Sequence, residues 1–183
     1  MGRRMGNVDK GLQLLEGRAL VGWVLNRFAA QVDEVLINAN RNRDAYAAFG
    51  FRVVEDRVGG FAGPLAGVHT GMSEAKHELV AFVPCDTPFL PEDLIPRLLA
   101  PLASDSVVVS VAKTGTQAHP VICVVRRRLL PQLAEFLDKG GRKVDAWYST
   151  LTAAEVAFDD QPRAFSNINT PEDLQAIERE AGR

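Results

Sequence analysis

Cysteine is scarce in this chain. Its 183 residues include only Cys85 and Cys123, far apart and with no CxxC or Cys/His cluster, so neither a disulfide framework nor a structural zinc site is indicated. Long apolar runs are lacking as well. None approaches the ~18 residues of a membrane helix, and the opening MGRRMGNVDKG has no apolar stretch of the secretory kind. A soluble, cytoplasmic protein with no membrane partner is expected. No charge sign dominates either: Lys+Arg 21 against Asp+Glu 23 gives a formal net charge of -2, which argues against a protein that coats nucleic acid. A local anion site stays open. His69, His77 and His119 show no metal spacing, and no Ser-His-Asp elbow is in view, so nucleophilic catalysis is not supported.

What is present is a globular composition, 46% hydrophobic and 24% charged, with no repeat and no linker. One domain over 1–183 is expected, and at this length folding buries roughly 70% of the unfolded surface. Apolar runs rich in Val, Ile and Phe recur as EVLINAN (34–40), ELVAFVP (78–84) and SVVVSVA (106–112), and read as buried parallel strands. Between them lie 19–31, 64–75 and 91–102, whose apolar residues fall at helical steps. This alternation predicts a three-layer α/β/α fold of the Rossmann-like kind, with ligands beyond the carboxyl ends of the strands. The run AHPVICVVRRR (118–128) is expected to turn back after KTGTQ and pair with 106–112 as an antiparallel edge. Residues 129–151 supply helical material, and 153–160 a short strand. The tail NTPEDLQAIERE reads as a helix with Thr170 as N-cap, Pro171 at N1 and Asp173 at N3. Doubly wound sheets open with an apolar strand running into a Gly-rich loop. This sequence starts inside such a loop, so the first strand is expected to be missing.

The strand-end rule selects the candidate site residues. PCDTP places Asp86 just past an apolar strand, where a carboxylate suits Mg²⁺ held against phosphate oxygens, or caps the turn before PEDL. GRRMGNVDKG gathers Gly2, Gly6, Arg3, Arg4 and Lys10 into one basic, Gly-bearing loop suited to phosphates, or to an exposed basic terminus. Asn38 in INAN and Asp56 in VVED follow apolar strands and are expected over the same edge as Asp86, as base or ribose contacts or as turn formers. GGFAGPLAG (59–67) is a Gly/Pro loop ahead of a helix. Asn167 and Asn169 stand in SNINTPED as ligand contacts or cap elements. Arg126, Arg127 and Arg128, and later Arg142 and Lys143 beside Gly140 and Gly141, could grip a second anionic substrate or form solvated basic faces.

Taken in order, RRMGNVDKGL, INANR, VVEDRVGGFAGPLAG, VPCDTPFLP, HPV and NINTPEDL resemble the molybdenum cofactor guanylyltransferase family, the MobA-type proteins, over almost the whole chain. The resemblance implies a mostly parallel sheet of the nucleotide-diphospho-sugar transferase type. It also implies transfer of GMP from GTP to the terminal phosphate of molybdopterin-bound molybdenum, with Mg²⁺ required. By the same resemblance, Lys10 matches the phosphate-binding lysine, Arg4 the preceding RMG element, Asn38 and Asp56 the nucleotide contacts, and Asp86 the residue binding magnesium and nucleotide. Asn167 and Asn169 match the late asparagines near the reacting phosphates. Implied partners are GTP, the molybdenum cofactor, and delivery proteins or acceptor molybdoenzymes. The family's loop begins LAGG at the end of a first strand, and this sequence has neither. Two alternatives stand beside this reading: a related CTP or sugar-phosphate nucleotidyltransferase, and a non-catalytic nucleotide or pterin binder.

Overall fold

Apolar strands and amphipathic helices alternate in the computed structural model, which describes residues 9–57, 63–168 and 173. The described elements run β1 (Leu14–Leu15), β2 (Arg18–Ala19), α1 (Leu20–Phe28), β3 (Leu36–Asn38), α2 (Arg43–Ala47), β4 (Arg52–Val54), α3 (Pro64–Glu74), β5 (Leu79–Phe82), α4 (Leu94–Leu99), β6 (Val109–Thr114), β7 (Gln117–Arg126), α5 (Leu130–Asp138), α6 (Val144–Tyr148) and β8 (Ala153–Ala157). β3 pairs β4 in parallel, and a four-stranded sheet runs β5-β7-β6-β8. Within it β6 and β8 are parallel, while β7 is antiparallel to both its neighbours.

The antiparallel strand is therefore not at an edge, as the sequence suggested, but inside the sheet. The turn after Thr114 folds β7 back on β6, with Gly115 at φ 54, a left-handed conformation that glycine adopts without steric cost. Ile122 to Val125 are then buried on both faces, which only an interior strand can satisfy. Cys123 and Val125 pack on Leu65, Met72 and Leu133 of α3 and α5. Ile122 and Val124 pack on Leu94 and Leu98 of α4 on the other side. Successive side chains pointing to opposite faces thus produce the three layers.

Three local departures have physical causes. The helix expected over 91–102 begins only at Leu94 and tightens into a 3₁₀ turn over Ala100–Ala103, where Pro101 has no N–H for the helical ladder. The strand expected from 106 begins at Val109. The hairpin of β1 and β2 was not foreseen, its two-residue strands being too short for a period to show; it turns through Glu16 and Gly17, both at positive φ.

The basic run at the end of β7 and in the 3₁₀ turn after it bonds to backbone carbonyls. Buried Arg126 donates to the carbonyls of Val107 and Leu102 at 3.1 and 2.7 Å, Arg127 to Met72 at 3.0 Å and Arg128 to Asp105 at 3.0 Å. These bonds commit buried Arg126 to the fold, while Arg127 and Arg128 each spend one donor on a carbonyl. The tail helix, apart from Asp173, lies outside the described residues.

Candidate active site

Three strand ends and one turn meet at the carboxyl edge. β5 ends in Pro84, Cys85 and Asp86, β3 carries Asn38 and Asn40 at its end, and β4 leads into Glu55 and Asp56. The 3₁₀ turn Lys10–Leu12 passes across this edge. Gly11 in that turn is wedged between the two sides: a Cβ there would lie 2.5 Å from Tyr46 Oη and 3.2 Å from Cys85 Sγ. The close approach brings the Lys10 ammonium to 3.5 Å from Asp86 Oδ2.

Asp86 is not a helix cap. α4 starts eight residues later, behind Asp93, and Asp86 Oδ1 is buried without a hydrogen-bond partner among the described residues. A desolvated carboxylate oxygen with no donor is costly unless something positive meets it, which fits a divalent cation bound through hard oxygen ligands. Among the described residues no cluster of three or more His, Cys, Asp or Glu side chains could hold a metal unaided. A cation here would draw its remaining ligands from water and phosphate, as Mg²⁺ does at nucleotide sites.

The loop of Asp86 is clasped from far along the chain. Buried Thr87 donates its hydroxyl to Asn167 Oδ1 at 2.7 Å, and the Ile168 N–H donates to the Asp86 carbonyl at 2.9 Å. On the other flank, Asn40 and Asp56 hold each other twice: the Asn40 amide donates to Asp56 Oδ2 at 2.7 Å, and the Asp56 N–H donates to Asn40 Oδ1 at 2.8 Å. Asp56 Oδ1 is left buried and unpartnered among the described residues. Asn38 donates to the Val54 carbonyl at 3.3 Å, and its Oδ1 occupies the space a Cβ on Gly67 would need. Asn38, Asp56, Asp86 and Asn167 all line one cavity.

Lys10, Asn38, Asp56, Asp86 and Asn167 are thus brought together, while Arg4 and Asn169 lie outside the described residues. Arg142 and Lys143 do not line that cavity. The Arg142 guanidinium donates to the carbonyls of Leu137 and Gly141 at 2.8 and 2.6 Å, closing the end of α5, and the loop meets the cavity only near Gly63. Reading the sequence missed Asp9, Tyr46 and Thr87. Asp9 accepts from Tyr46 at 2.5 Å and from Asn42 at 3.0 Å, anchoring the turn that carries Lys10. Its place beside Lys10 in VDKG was a usable signal; Tyr46 had none.

Neither Cys85 nor Tyr46 is an activated nucleophile. Burial, and then the Asp86 carboxylate, push the Cys85 thiol up to about 12, so it stays protonated near neutrality. Burial and the bond to Asp9 raise Tyr46 as well, keeping it a donor. Among the described residues of the site, neither the Cys85 thiol nor the Tyr46 phenol is poised to attack a substrate.

Residues 1–153 match the MobA-like NTP transferase domain. The chain belongs to that family. It is 44% identical over 180 residues to the molybdenum cofactor guanylyltransferase of Shewanella baltica, covering 98% of this chain and 92% of the relative. Its fold is that of the Archaeoglobus fulgidus molybdopterin-guanine dinucleotide biosynthesis protein A (TM-score 0.79, 21% identity, 99% of this chain and 94% of that one). The 4-diphosphocytidyl-2C-methyl-D-erythritol synthase of Anaerococcus prevotii has the same fold (TM-score 0.76, 13% identity, 96% and 95%). Within the family match fall Lys10, Asn38, Asp56 and Asp86, while the Asn167 clasp lies beyond it. Among the described residues no helix is long and apolar enough to cross a membrane.

Proposed function

We propose that the chain transfers GMP from GTP to the terminal phosphate of the molybdenum-bearing pterin, giving the guanine dinucleotide cofactor and pyrophosphate. The observation that carries this reading is the Lys10–Asp86 pair at the carboxyl edge of β5, beside a buried carboxylate oxygen that lacks a partner among the described residues. The guanylyltransferase name of near-full-length relatives supports the choice of base and acceptor.

Lys10 is the cation for the triphosphate, held by the turn that Asp9 anchors, and Arg4 joins it by the resemblance of the RMG element. Asp86 would hold Mg²⁺ through Oδ1; when bound, the ion offsets charge on the phosphates and the leaving pyrophosphate. Asp56 offers its unpartnered oxygen to the nucleotide, and Asn38 fixes the end of β3 beside it. Asn167 and Asn169 are assigned to the acceptor side, while Arg142 and Lys143, outside the cavity lining, are left without a part in it. The attacking phosphate monoester, with a second pKa of about 6, is already largely anionic near neutrality. No general base is required for such an attack. Alignment and charge neutralisation are what the side chains supply. Molybdenum cofactor delivery proteins or acceptor molybdoenzymes are the proposed protein partners.

The test is formation of the guanine dinucleotide from GTP and the pterin by wild type and Asp86→Asn, alongside thermal shifts with GTP, CTP and ATP in Mg²⁺. The variant is expected to lose roughly a hundredfold or more, the scale of one preorganised electrostatic element. Near-wild-type turnover would remove Asp86 from the metal role. Stabilisation by CTP over GTP would favour a cytidylyltransferase.

A further inference from the structure

We infer that Thr70 of α3 is a positioning residue for the nucleotide, acting through Asp56 by holding the backbone amide that follows it. The inference rests on the assignment of Asp56 to the nucleotide in the preceding subsection, and names what aims that carboxylate. The parallel ladder of β3 and β4 ends at Val54, whose carbonyl accepts from the Ala39 N–H at 2.9 Å. Beyond it, backbone donors turn to side chains. The Asp56 N–H donates to Asn40 Oδ1 at 2.8 Å, and the Arg57 N–H donates to Thr70 Oγ1 at 3.0 Å. Asp56 is thus fixed from two sides, by the end of β3 and by α3. Thr70 is fully buried, yet it does not line the cavity that Asn38, Asp56 and Asp86 share. Its hydroxyl meets the Arg57 amide rather than a substrate, as a buried polar group requires a partner.

The surrounding face of α3 brings it there. Gly67, Thr70, Gly71 and Glu74 follow at steps of three and four, and so lie along one side of the helix. A Cβ on Gly67 would stand 2.9 Å from Asn38 Oδ1, and one on Gly71 2.6 Å from the Phe82 ring, so the helix backbone lies directly against the ends of β3 and β5. One turn beyond Thr70, the Glu74 carboxylate pairs with the guanidinium groups of both Arg52, at the start of β4, and Arg57. The same helix face therefore holds β4 where it begins and the chain where it leaves Asp56. Without the hydroxyl, the Asp56–Arg57 peptide keeps the Asn40 tie but loses the one to α3, and Oδ1 of Asp56, buried and unpartnered among the described residues, loses its fixed place in the cavity wall. A carboxylate that meets the nucleotide both before and during transfer contributes to binding in both states. Misplacing it falls on affinity and KM rather than on turnover.

The experiment is a double-mutant cycle of Thr70→Val and Asp56→Asn, read as the Kd for GTP in Mg²⁺ by calorimetry, with KM, kcat and melting temperature alongside. Thr70→Val keeps the outline of the side chain and removes the oxygen. It should weaken GTP roughly fivefold or more, the scale of one lost hydrogen bond. KM should rise in step, with kcat held within about twofold. Thr70→Ser returns the hydroxyl and should restore the wild-type Kd. In the Asp56→Asn background, Thr70→Val should change Kd by less than about twofold, the coupling expected of a residue that acts through another. Glu74→Gln loosens Arg57 from outside the core, and should likewise weaken GTP only where Asp56 is intact; it carries the same cycle if Thr70→Val proves too unstable to titrate. An unchanged Kd, equal weakening in both backgrounds, or failure of Thr70→Ser to restore binding overturns the proposal. So does a loss of kcat at unchanged KM, the mark of a helix that only folds less well. Binding of GTP by the wild type without transfer to the pterin would overturn the guanylyl-transfer reading alone, because the Kd cycle does not use the acceptor.

Discussion

Gly11→Ala isolates one close approach. Gly11 is buried and outside the left-handed region, so its backbone tolerates alanine, but the new Cβ would stand 2.5 Å from Tyr46 Oη and 3.2 Å from Cys85 Sγ. Tyr46 cannot retreat freely, because its hydroxyl is bonded to Asp9 at 2.5 Å. Either the ring moves and that charge-assisted bond is lost, or the turn carrying Lys10 lifts. Overpacking costs about 1–3 kcal/mol, and losing a hydrogen bond to a charged group costs ~1.5–3 kcal/mol. A value near 2 kcal/mol corresponds to a drop of roughly 4–8 °C in melting temperature for a chain of this size. Lifting the turn also draws Lys10 from Asp86, so turnover should fall about tenfold or more. The assay is urea unfolding of wild type, Gly11→Ala, Tyr46→Phe and the double variant. Phenylalanine removes the oxygen that blocks the methyl, so Gly11→Ala should cost at least ~1 kcal/mol less in that background, a coupling expected of residues in contact. An equal cost in both backgrounds would refute the steric account.

Thr87→Val keeps the shape but removes the hydroxyl given to Asn167, and should cost about 1–3 kcal/mol with faster exchange of the Ile168 amide; Thr87→Ser should restore slow exchange. Arg126→Met strips donors from the carbonyls of Val107 and Leu102, and should lower stability in chemical denaturation by roughly 2–4 kcal/mol; a change under ~0.5 kcal/mol would return the arginine to the surface. Burial holds both thiols at about 12, against an ordinary 9.0, which cuts the thiolate fraction at pH 8 about a thousandfold. Iodoacetamide should therefore leave Cys85 and Cys123 unmodified, by mass, while a cysteine peptide reacts fully.

The sequence exposed those parts of the molecule governed by local rules. Asp86 was legible because an apolar strand points its successor residues over the ligand edge, and Asn38 and Asp56 by the same rule. The interior place of β7 was not, since a hairpin fixes which strand follows β6 but not what its other edge meets. The commitment of Arg126 to the fold was hidden, because sequence shows donors without showing the carbonyls that take them. Thr87 and Asn167 stand 80 residues apart, and no local pattern announces a partner at that distance. Tyr46 reads as an ordinary apolar position of α2; only the fold shows its hydroxyl against Asp9.

The contact of Ile168 with the Asp86 carbonyl has a consequence for synthesis. During translation the strand end bearing Asp86 leaves the ribosome some eighty residues before the segment that ties it down. A nascent chain that has completed β5, β6 and β7 thus has its sheet but not its finished phosphate edge. The site closes last, after the long loop between them has been gathered in, and closing such a loop is among the slower events of folding. A chain released early, short of residue 167, would keep the buried contacts of β5, β6 and β7 and still present Asp86 on an untethered loop, folded in its centre and idle at its edge.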